Sequence, residues 1–409
     1  MTINQKKNLV TDKEINLSNP TVIIPYKFQW EVYQHHKNDD EEETDPLNWE
    51  NICDKINFIT YEMSTPDAFI QFINDPSYEV QIDCIWITEE FLSIMGDINE
   101  YIKKFPSSIT SLMVPWVGCE FLNLKLLNEK NIKVCNIGPH AANYVCEVAI
   151  HLVLSCFRMT SFWEHCFKYV DVGEIKECKK YIGSKQQSTH GKNDWPTKID
   201  PKNELVIPTR WDTSYGVGGY DTKLFESPTN KSVLILGFGS IGQAIGSKLK
   251  TLFNMEVNYY KRSGPISKSQ LGYAATYWDS LDNKETWYSS HLIILCLPSN
   301  ESTTNLINKK TLQMCRDGVR IINVGRGACI DEDALLEGLS NGKIASCGLD
   351  VYKDETTLVR KDLIQRWDVT ALPHIGSTSL QEIKEQTEIT LKNIESFFIK
   401  GEGGLYPIN

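Results

Sequence analysis

Several things are missing from this sequence, and each absence excludes something. No apolar run reaches the roughly 18–20 residues needed to span a bilayer, so no membrane segment is expected. The opening residues, Met-Thr-Ile-Asn-Gln-Lys-Lys, are polar and lack the apolar core of a secretory signal. The 12 cysteines form no C-x-x-C pair and follow no regular spacing, which argues against a zinc cluster or a disulfide framework. Several of them, Cys84, Cys156, Cys296 and Cys347, sit inside apolar runs and read as buried free thiols. A reducing compartment, the cytosol, is therefore expected. An excess of positive charge is also missing. The net charge is −11 and the pI about 5.3, which disfavours a general nucleic-acid-binding role.

What is present suits a two-domain α/β protein. A chain of 409 residues is long for one domain, and 41% hydrophobic residues can fill two cores. Residues 1–19 are polar and expected to fray, and the acidic run at 37–45 reads as a solvated loop. Short strand patterns at Thr21–Pro25, Asn57–Tyr61, Asp83–Ile87, Ser111–Val114 and Ile132–Asn136 alternate with helical segments, for example Glu90–Phe105. That alternation predicts a parallel sheet. Val145–Phe157 is apolar nearly all round, which predicts a helix buried on most sides, at an interdomain or subunit interface. Residues 171–229 are polar, irregular and rich in glycine and proline, and read as a surface insert, a lid or a docking element. Further strand patterns follow at Glu256–Tyr260, Ala274–Tyr277, His291–Leu297, Arg320–Val324, Ala345–Val351 and Val369–Leu372, with helices at Glu332–Leu339 and Lys361–Arg366. The closing Gln381–Lys400 has helical periodicity.

The strongest local signal is Val-Leu-Ile-Leu-Gly-Phe-Gly-Ser-Ile-Gly at 233–242. A strand, a tight turn with G-x-G-x-x-G and a helix form the Rossmann dinucleotide pattern. Gly237 allows the turn, Gly239 leaves room for a pyrophosphate, and Gly242 lets the helix pack on the strand. The helix N-terminus at Ser240 and Ile241 offers unpaired N–H groups to phosphate. The next strand usually ends in an acid that binds the ribose 2′-hydroxyl of NAD. Here it runs into Lys261-Arg262-Ser263. Two cations and a hydroxyl suit a 2′-phosphate, so NADP(H) is expected over NAD(H).

Three later segments fall at strand ends, where doubly wound folds place ligands. They are Asn323-Val324-Gly325-Arg326-Gly327, Leu349-Asp350-Val351-Tyr352-Lys353-Asp354-Glu355, and Leu372-Pro373-His374-Ile375-Gly376-Ser377-Thr378. Arg326 presents a fork of donors that suits a carboxylate and its neighbouring carbonyl. Together with Leu297-Pro298 and the Thr303-Thr304 pair after it, these segments resemble the D-isomer-specific 2-hydroxyacid dehydrogenase family. The likeness spans about residues 80–400 apart from the insert, and is similar to the fungal glyoxylate/hydroxypyruvate reductase-like branch.

The resemblance implies roles, position by position. Arg326 anchors a small 2-oxo acid and polarises its carbonyl. His374 is the general acid, and Glu355 its carboxylate partner. Asp350 orients the nicotinamide, and Leu297, Pro298, Val324 and Gly376 join the cofactor contacts. Val117 and Gly118, in Trp116-Val117-Gly118-Cys119, hold the substrate carboxylate through backbone amides. The implied architecture is a Rossmann domain over residues 146–374 and a discontinuous flavodoxin-like α/β substrate domain over 1–145 and 375–409. A cleft between them closes over the cofactor, and the assembly is a homodimer. No metal is implied. Three departures stand out: Thr356 replaces the usual proline after the glutamate, Lys261 replaces the second-strand acid, and Trp116 and Cys119 are unusual in the substrate loop. His140, ending Gly138-Pro139-His140, is a lesser candidate for substrate contact. Two alternatives remain: a nucleotide-sensing, corepressor-like binding protein on the same fold, and a formate-type dehydrogenase, against which Glu355 argues.

Overall fold

The computed structural model describes residues 14–25, 49–179, 219–220, 223–355 and 357–409. The acidic run at 37–45, Thr356 and most of the 171–229 insert lie outside the described residues. By its internal contacts the chain divides into two units, Met1–Ala141 with Thr378–Asn409, and Ala142–Ser377.

The first unit is built on five short strands, β1 (Thr21–Ile24), β2 (Asn57–Thr60), β3 (Cys84–Trp86), β4 (Ser111–Met113) and β5 (Lys133–Cys135). All pair in parallel, in the order β2-β1-β3-β4-β5, which is the flavodoxin-like order. Side chains alternate between the two faces of each strand, and the sequence supplies apolar groups on both. Ile23, Ile59, Ile85, Leu112 and Val134 pack on one side with Phe69, Phe91 and Leu127 from the helices Pro66–Ile73, Glu89–Met95 and Leu124–Glu129. Val22, Phe58, Cys84, Trp86, Met113 and Cys135 pack on the other with Ile52 and Cys53, and with Leu391 and Ile394 of the Leu380–Ile394 helix.

Two helices expected to be continuous are broken. Glu90–Phe105 is two helices, Glu89–Met95 and Asn99–Ile102. Gly96 ends the first at φ 63°, and Asp97 accepts the Asn99 amide at 3.0 Å. The last helix gives way at Glu395 to a π-helical turn, Glu395–Lys400, and Gly401 stops it at φ 68°. The residues beyond return to β5. Asn393 donates to the Asn136 carbonyl and accepts from the Leu405 and Tyr406 amides, and the Ile408 amide donates to the Val134 carbonyl.

The second unit holds seven parallel strands, β6 (Ser232–Leu236), β7 (Glu256–Tyr260), β8 (Ala275–Trp278), β9 (Leu292–Leu295), β10 (Val319–Asn323), β11 (Ile344–Leu349) and β12 (Val369–Ala371). Their order is β8-β7-β6-β9-β10-β11-β12, the Rossmann arrangement extended at one edge. The strand order reverses between β6 and β9, and such a switch point is where open α/β sheets bind ligands. Strands β6, β9, β10 and β11 are wholly buried, as a parallel sheet covered on both faces requires, while the edge strand β8 is partly exposed along its length.

The apolar helix runs from Ala142 to Arg158 and lies on this second sheet. It approaches so closely that a Cβ at Gly348 would meet the Leu152 Cβ at 2.9 Å. It is buried on most sides, as expected. Asn143, Glu147, His151, Leu154 and Arg158 leave an exposed stripe at near-helical spacing. Among the described residues no single helix is long and apolar enough to cross a membrane, and all 12 cysteines are free, ten of them buried.

Just before β12, Arg366 and Asp368 are each 2% exposed and joined by two hydrogen bonds of 2.8 and 2.9 Å. Removing one partner takes both of these bonds away from a buried charge. Asp368→Ala should therefore cost about 3–5 kcal/mol, read as a lowered urea midpoint. A midpoint equal to wild type would show that the guanidinium is satisfied elsewhere.

Candidate active site

The glycine turn sits at the carboxyl end of β6. Gly237 has φ 90°, and a Cβ there would lie 2.6 Å from the Cys296 carbonyl oxygen at the end of β9. Position 242 is as tight, since a Cβ would fall 2.3 Å from the Gly237 oxygen. Gly239 differs: a Cβ there would meet nothing within 4 Å. The helix Ser240–Phe253 starts immediately after it, and no side chain caps its first turn. Open space beside uncapped N–H groups at the start of a 14-residue helix fits an anionic pyrophosphate. Behind the turn Phe238 is fully buried and stacks on Tyr259 with ring centroids 4.1 Å apart, while Gln243 donates to the Phe238 and Gly239 carbonyls.

Strand β7 ends at Tyr260, and Lys261 opens a turn closed by the Gly264 amide on the Lys261 carbonyl at 3.2 Å. Gly264 has φ 92°. Arg262 and Ser263 are exposed and Lys261 half-buried. Neither cation forms an ion pair among the described residues. After β9, Leu297 and Pro298 lie in a turn held by Thr303, whose hydroxyl donates to the Pro298 carbonyl at 2.7 Å and accepts the Asn300 amide at 2.9 Å.

The three later segments come together at the ends of β10, β11 and β12. Asn323, the last residue of β10, is fully buried. Its side-chain oxygen accepts the Gly325 amide at 3.0 Å, and its nitrogen donates to the Arg326 carbonyl at 2.9 Å. Only a carboxamide supplies one acceptor and one donor in that span. Glycine is imposed on both sides of Arg326. A Cβ at 325 would lie 2.8 Å from Leu297 backbone atoms, and one at 327 would lie 1.8 Å from the Tyr352 carbonyl carbon. Val324 is buried, and the Arg326 guanidinium donates to the Gly325 carbonyl at 2.8 Å.

At the end of β11 the Asp350 carboxylate is 2% exposed. Its two oxygens accept the Ile375 and Gly376 amides at 2.9 and 2.8 Å. A Cβ at 376 would come within 2.8 Å of that carboxylate. Burial raises the Asp350 carboxyl above its ordinary value, against the two amides that favour its charge. The Tyr352 hydroxyl reaches the Leu349 carbonyl at 3.2 Å and the Leu372 carbonyl at 2.8 Å, tying the end of β11 to the end of β12.

His374 sits at φ 55°, in the left-handed region that few non-glycine residues occupy and that histidine enters more readily than most. Its Nδ1 lies 2.8 Å from Glu355 Oε2, and the other Glu355 oxygen accepts the Tyr352 amide at 2.8 Å. The hydrogen bond to Glu355 raises the His374 pKa, while burial and Arg326 oppose it. Burial would raise the Glu355 carboxyl, but the bonds from His374 and the Tyr352 amide outweigh it and hold it below its ordinary value. With Nδ1 on Glu355, Nε2 has no hydrogen-bond partner among the described residues.

Val117 and Gly118 belong to the other unit. The buried Asn136 donates to the Val117 carbonyl at 2.8 Å. His140 is not free for substrate. Its Nδ1 is 2.9 Å from Glu385 and its Nε2 is 3.0 Å from the Tyr406 hydroxyl, so it fastens the C-terminal residues. No group of metal-ligating side chains occurs among the described residues.

Comparison with known proteins places this arrangement. Residues 208–376 match the family described as D-isomer specific 2-hydroxyacid dehydrogenase, NAD binding domain. A Saccharomyces cerevisiae protein that itself carries only a provisional name as a 2-hydroxyacid dehydrogenase is 50% identical over 95% of this chain and 96% of its own length. The chain belongs to the D-isomer-specific 2-hydroxyacid dehydrogenase family. Within that family of oxidoreductases acting on small 2-hydroxy acids, 4-methyl-2-oxopentanoate reductase A of Aspergillus oryzae is 37% identical over 87% of this chain and 92% of its own. Glyoxylate reductase 1 of S. cerevisiae is 26% identical over 83% and 85%. Among solved structures, the holo form of D-mandelate dehydrogenase from Rhodotorula graminis aligns with a TM-score of 0.72 at 23% identity, covering 96% of this chain and 98% of that one. At that identity the likeness is one of fold.

Asn323, Thr303 and Tyr352 carry no charge and stand inside the segments that drew attention to their neighbours. The signal that could have singled out Asn323 is a polar residue closing an apolar strand directly before Gly-Arg-Gly. Asn323→Leu preserves volume but leaves the Gly325 amide and Arg326 carbonyl without this partner. It should lower kcat/KM for a 2-oxo acid by on the order of 10²-fold, with dinucleotide affinity little altered. An unchanged kcat/KM would mean that the turn keeps its shape without the amide.

Proposed function

We propose that this dehydrogenase reduces 2-oxo acids with NADPH as the preferred dinucleotide and NADH as a poorer one. The observation that carries the reading is the Glu355–His374 pair, held at the ends of β11 and β12 next to the Arg326 turn. Gly237, Gly239, Ser240, Ile241 and Gly242 would hold the pyrophosphate, and Lys261, Arg262 and Ser263 the 2′-phosphate. When bound, the dinucleotide supplies hydride to the carbonyl carbon of the acid.

The residues of the chain do the rest. Arg326 anchors the acid and polarises its carbonyl. Glu355 keeps Nδ1 of His374 protonated and stabilises the imidazolium, so that the proton on Nε2 is the one given to the carbonyl oxygen. His374 is left neutral, its Nδ1 proton still hydrogen-bonded to the Glu355 carboxylate. In the oxidative direction the neutral ring accepts the proton back. Asp350 contributes by holding the Ile375 and Gly376 amides, a more direct service to His374 than contact with the nicotinamide alone.

Glyoxylate and hydroxypyruvate, toward which the sequence points, are the smallest candidates. The 37% identity to a 4-methyl-2-oxopentanoate reductase supports a wider 2-oxo acid range. NADPH and NADH oxidation with a panel of such acids is the direct test. Tight NADPH binding with no turnover of any acid would instead favour the nucleotide-sensing reading.

His374→Ala should lower kcat by on the order of 10²-fold or more, and near-wild-type turnover would remove it from the mechanism. The pH dependence follows from the raised His374 pKa. Reduction needs the protonated ring, so kcat holds on the acid side and falls as pH rises through that raised pKa. Glu355→Gln should move the fall to lower pH, and a profile unmoved by this change would deny the pairing any catalytic consequence. Lys261→Asp combined with Arg262→Ala should shift the NADPH:NADH ratio of kcat/KM toward NADH, because a carboxylate repels a 2′-phosphate. A constant ratio would refute the cofactor assignment.

A further inference from the structure

Glu355 and His374 stand on different loops, one following β11 and the other following β12. Their 2.8 Å contact depends on how firmly those loops are held against each other. One residue touches both. The Tyr352 amide donates to Glu355 Oε1 at 2.8 Å, which leaves Oε2 for His374. The Tyr352 hydroxyl donates to the Leu372 carbonyl at 2.8 Å, two residues before His374. Tyr352 also meets the Arg326 turn, since a Cβ at Gly327 would fall 1.8 Å from its carbonyl carbon. All of these residues belong to the unit Ala142–Ser377.

The hydroxyl stands where the sheet stops. The Leu372 amide donates to the Leu349 carbonyl at 2.8 Å, and in a continued parallel ladder the Leu372 carbonyl would take the next amide of the neighbouring strand. Strand β11 has ended at Leu349, and the Tyr352 hydroxyl takes that place. Holding the Leu372 carbonyl fixes the plane of the Leu372–Pro373 peptide. The ring of Pro373 locks its own φ, so ψ of Pro373 is the one soft torsion left before the His374 amide. The strut itself is rigid. Tyr352 is 8% exposed and belongs to the core that includes Leu349, Leu363 and Val369. Burial raises the phenol above its ordinary pKa, so it remains a protonated donor while His374 titrates.

We propose that Tyr352 is a positioning residue for the proton transfer: its amide and its hydroxyl together set the Glu355–His374 contact. This role rests on the 2-oxo acid reductase reading. Without the hydroxyl the Leu372–Pro373 peptide can turn, the imidazole drifts from Glu355, and His374 holds its proton less firmly.

Tyr352→Phe removes one oxygen and leaves the ring in the core. With a 2-oxo acid and NADPH it should lower kcat by about tenfold, with NADPH affinity little altered because the glycine turn lies on other elements. The fall of kcat at alkaline pH should move to lower pH, because a looser bond to Glu355 raises the His374 pKa less. In a Glu355→Gln background the same change should cost less than about twofold more, since the carboxylate it positions is already gone. Tyr352→Met, also without a hydroxyl, should move the pH profile the same way. NMR titration of labelled histidine, with His374 assigned from His374→Ala, reads the pKa shift without turnover. A wild-type kcat and pH profile in either hydroxyl-free variant overturns the proposal and leaves the reductase reading intact. An equal loss with and without Glu355 overturns it too, because the hydroxyl would then act on the fold and not on the pair. No turnover of any 2-oxo acid by the wild type defeats the reductase reading, and a His374 pKa unmoved by Tyr352→Phe defeats the positioning role separately.

Discussion

The constraint on which the candidate active site depends is the grip of the Asp350 carboxylate on two consecutive amides. A single buried side chain accepts from Ile375 and Gly376, and so fixes the backbone immediately after His374. That histidine occupies a left-handed conformation, which a flexible chain would rarely visit unaided. Strain of this kind persists where surrounding contacts over-determine it. Here the contacts are the Asp350 carboxylate on one side and the Tyr352 hydroxyl on the Leu372 carbonyl on the other. The imidazole then meets Glu355 without having to search for it.

The same economy runs through the neighbouring turns. Each side chain with a proposed chemical role is presented by a turn whose shape an uncharged or buried residue enforces. Asn323 shapes the turn of Arg326, Thr303 that of Leu297-Pro298, and Asn136 that of Val117-Gly118. The glycines are imposed by backbone atoms of adjacent segments, as Gly327 is by Tyr352. The chemistry is therefore carried by few groups, and its geometry by many.

Much of this was legible in the sequence because it rests on periodicity and on glycine. Continuous apolar runs marked the buried parallel strands, and Gly237, Gly239 and Gly242 after a strand marked the turn. Arg326, Glu355 and His374 stood out as charged or titratable groups at strand ends, joined by resemblance to a family. What escaped notice were interactions that have no period. The break at Gly96 depends on a positive φ that glycine permits but does not announce. The engagement of His140 by Glu385 and Tyr406 links positions about 250 residues apart, a distance over which local pattern is silent. Asn323 was invisible for another reason: its importance lies in having one donor and one acceptor, and a neutral amide gives no electrostatic signal.

The return of the C-terminal residues to β5 has a consequence for the order in which the molecule is made. Strand β5 is synthesised before the second unit begins, yet the partners of Asn136, Val134 and His140 among residues 385–408 emerge only after that unit is complete. On the ribosome the second unit has all of its strands available first, while the earlier-made unit waits with one edge of its sheet unfinished. Vectorial synthesis thus gives the nucleotide-binding unit a head start, and the loop that presents Val117 and Gly118 acquires its final shape among the last events of folding.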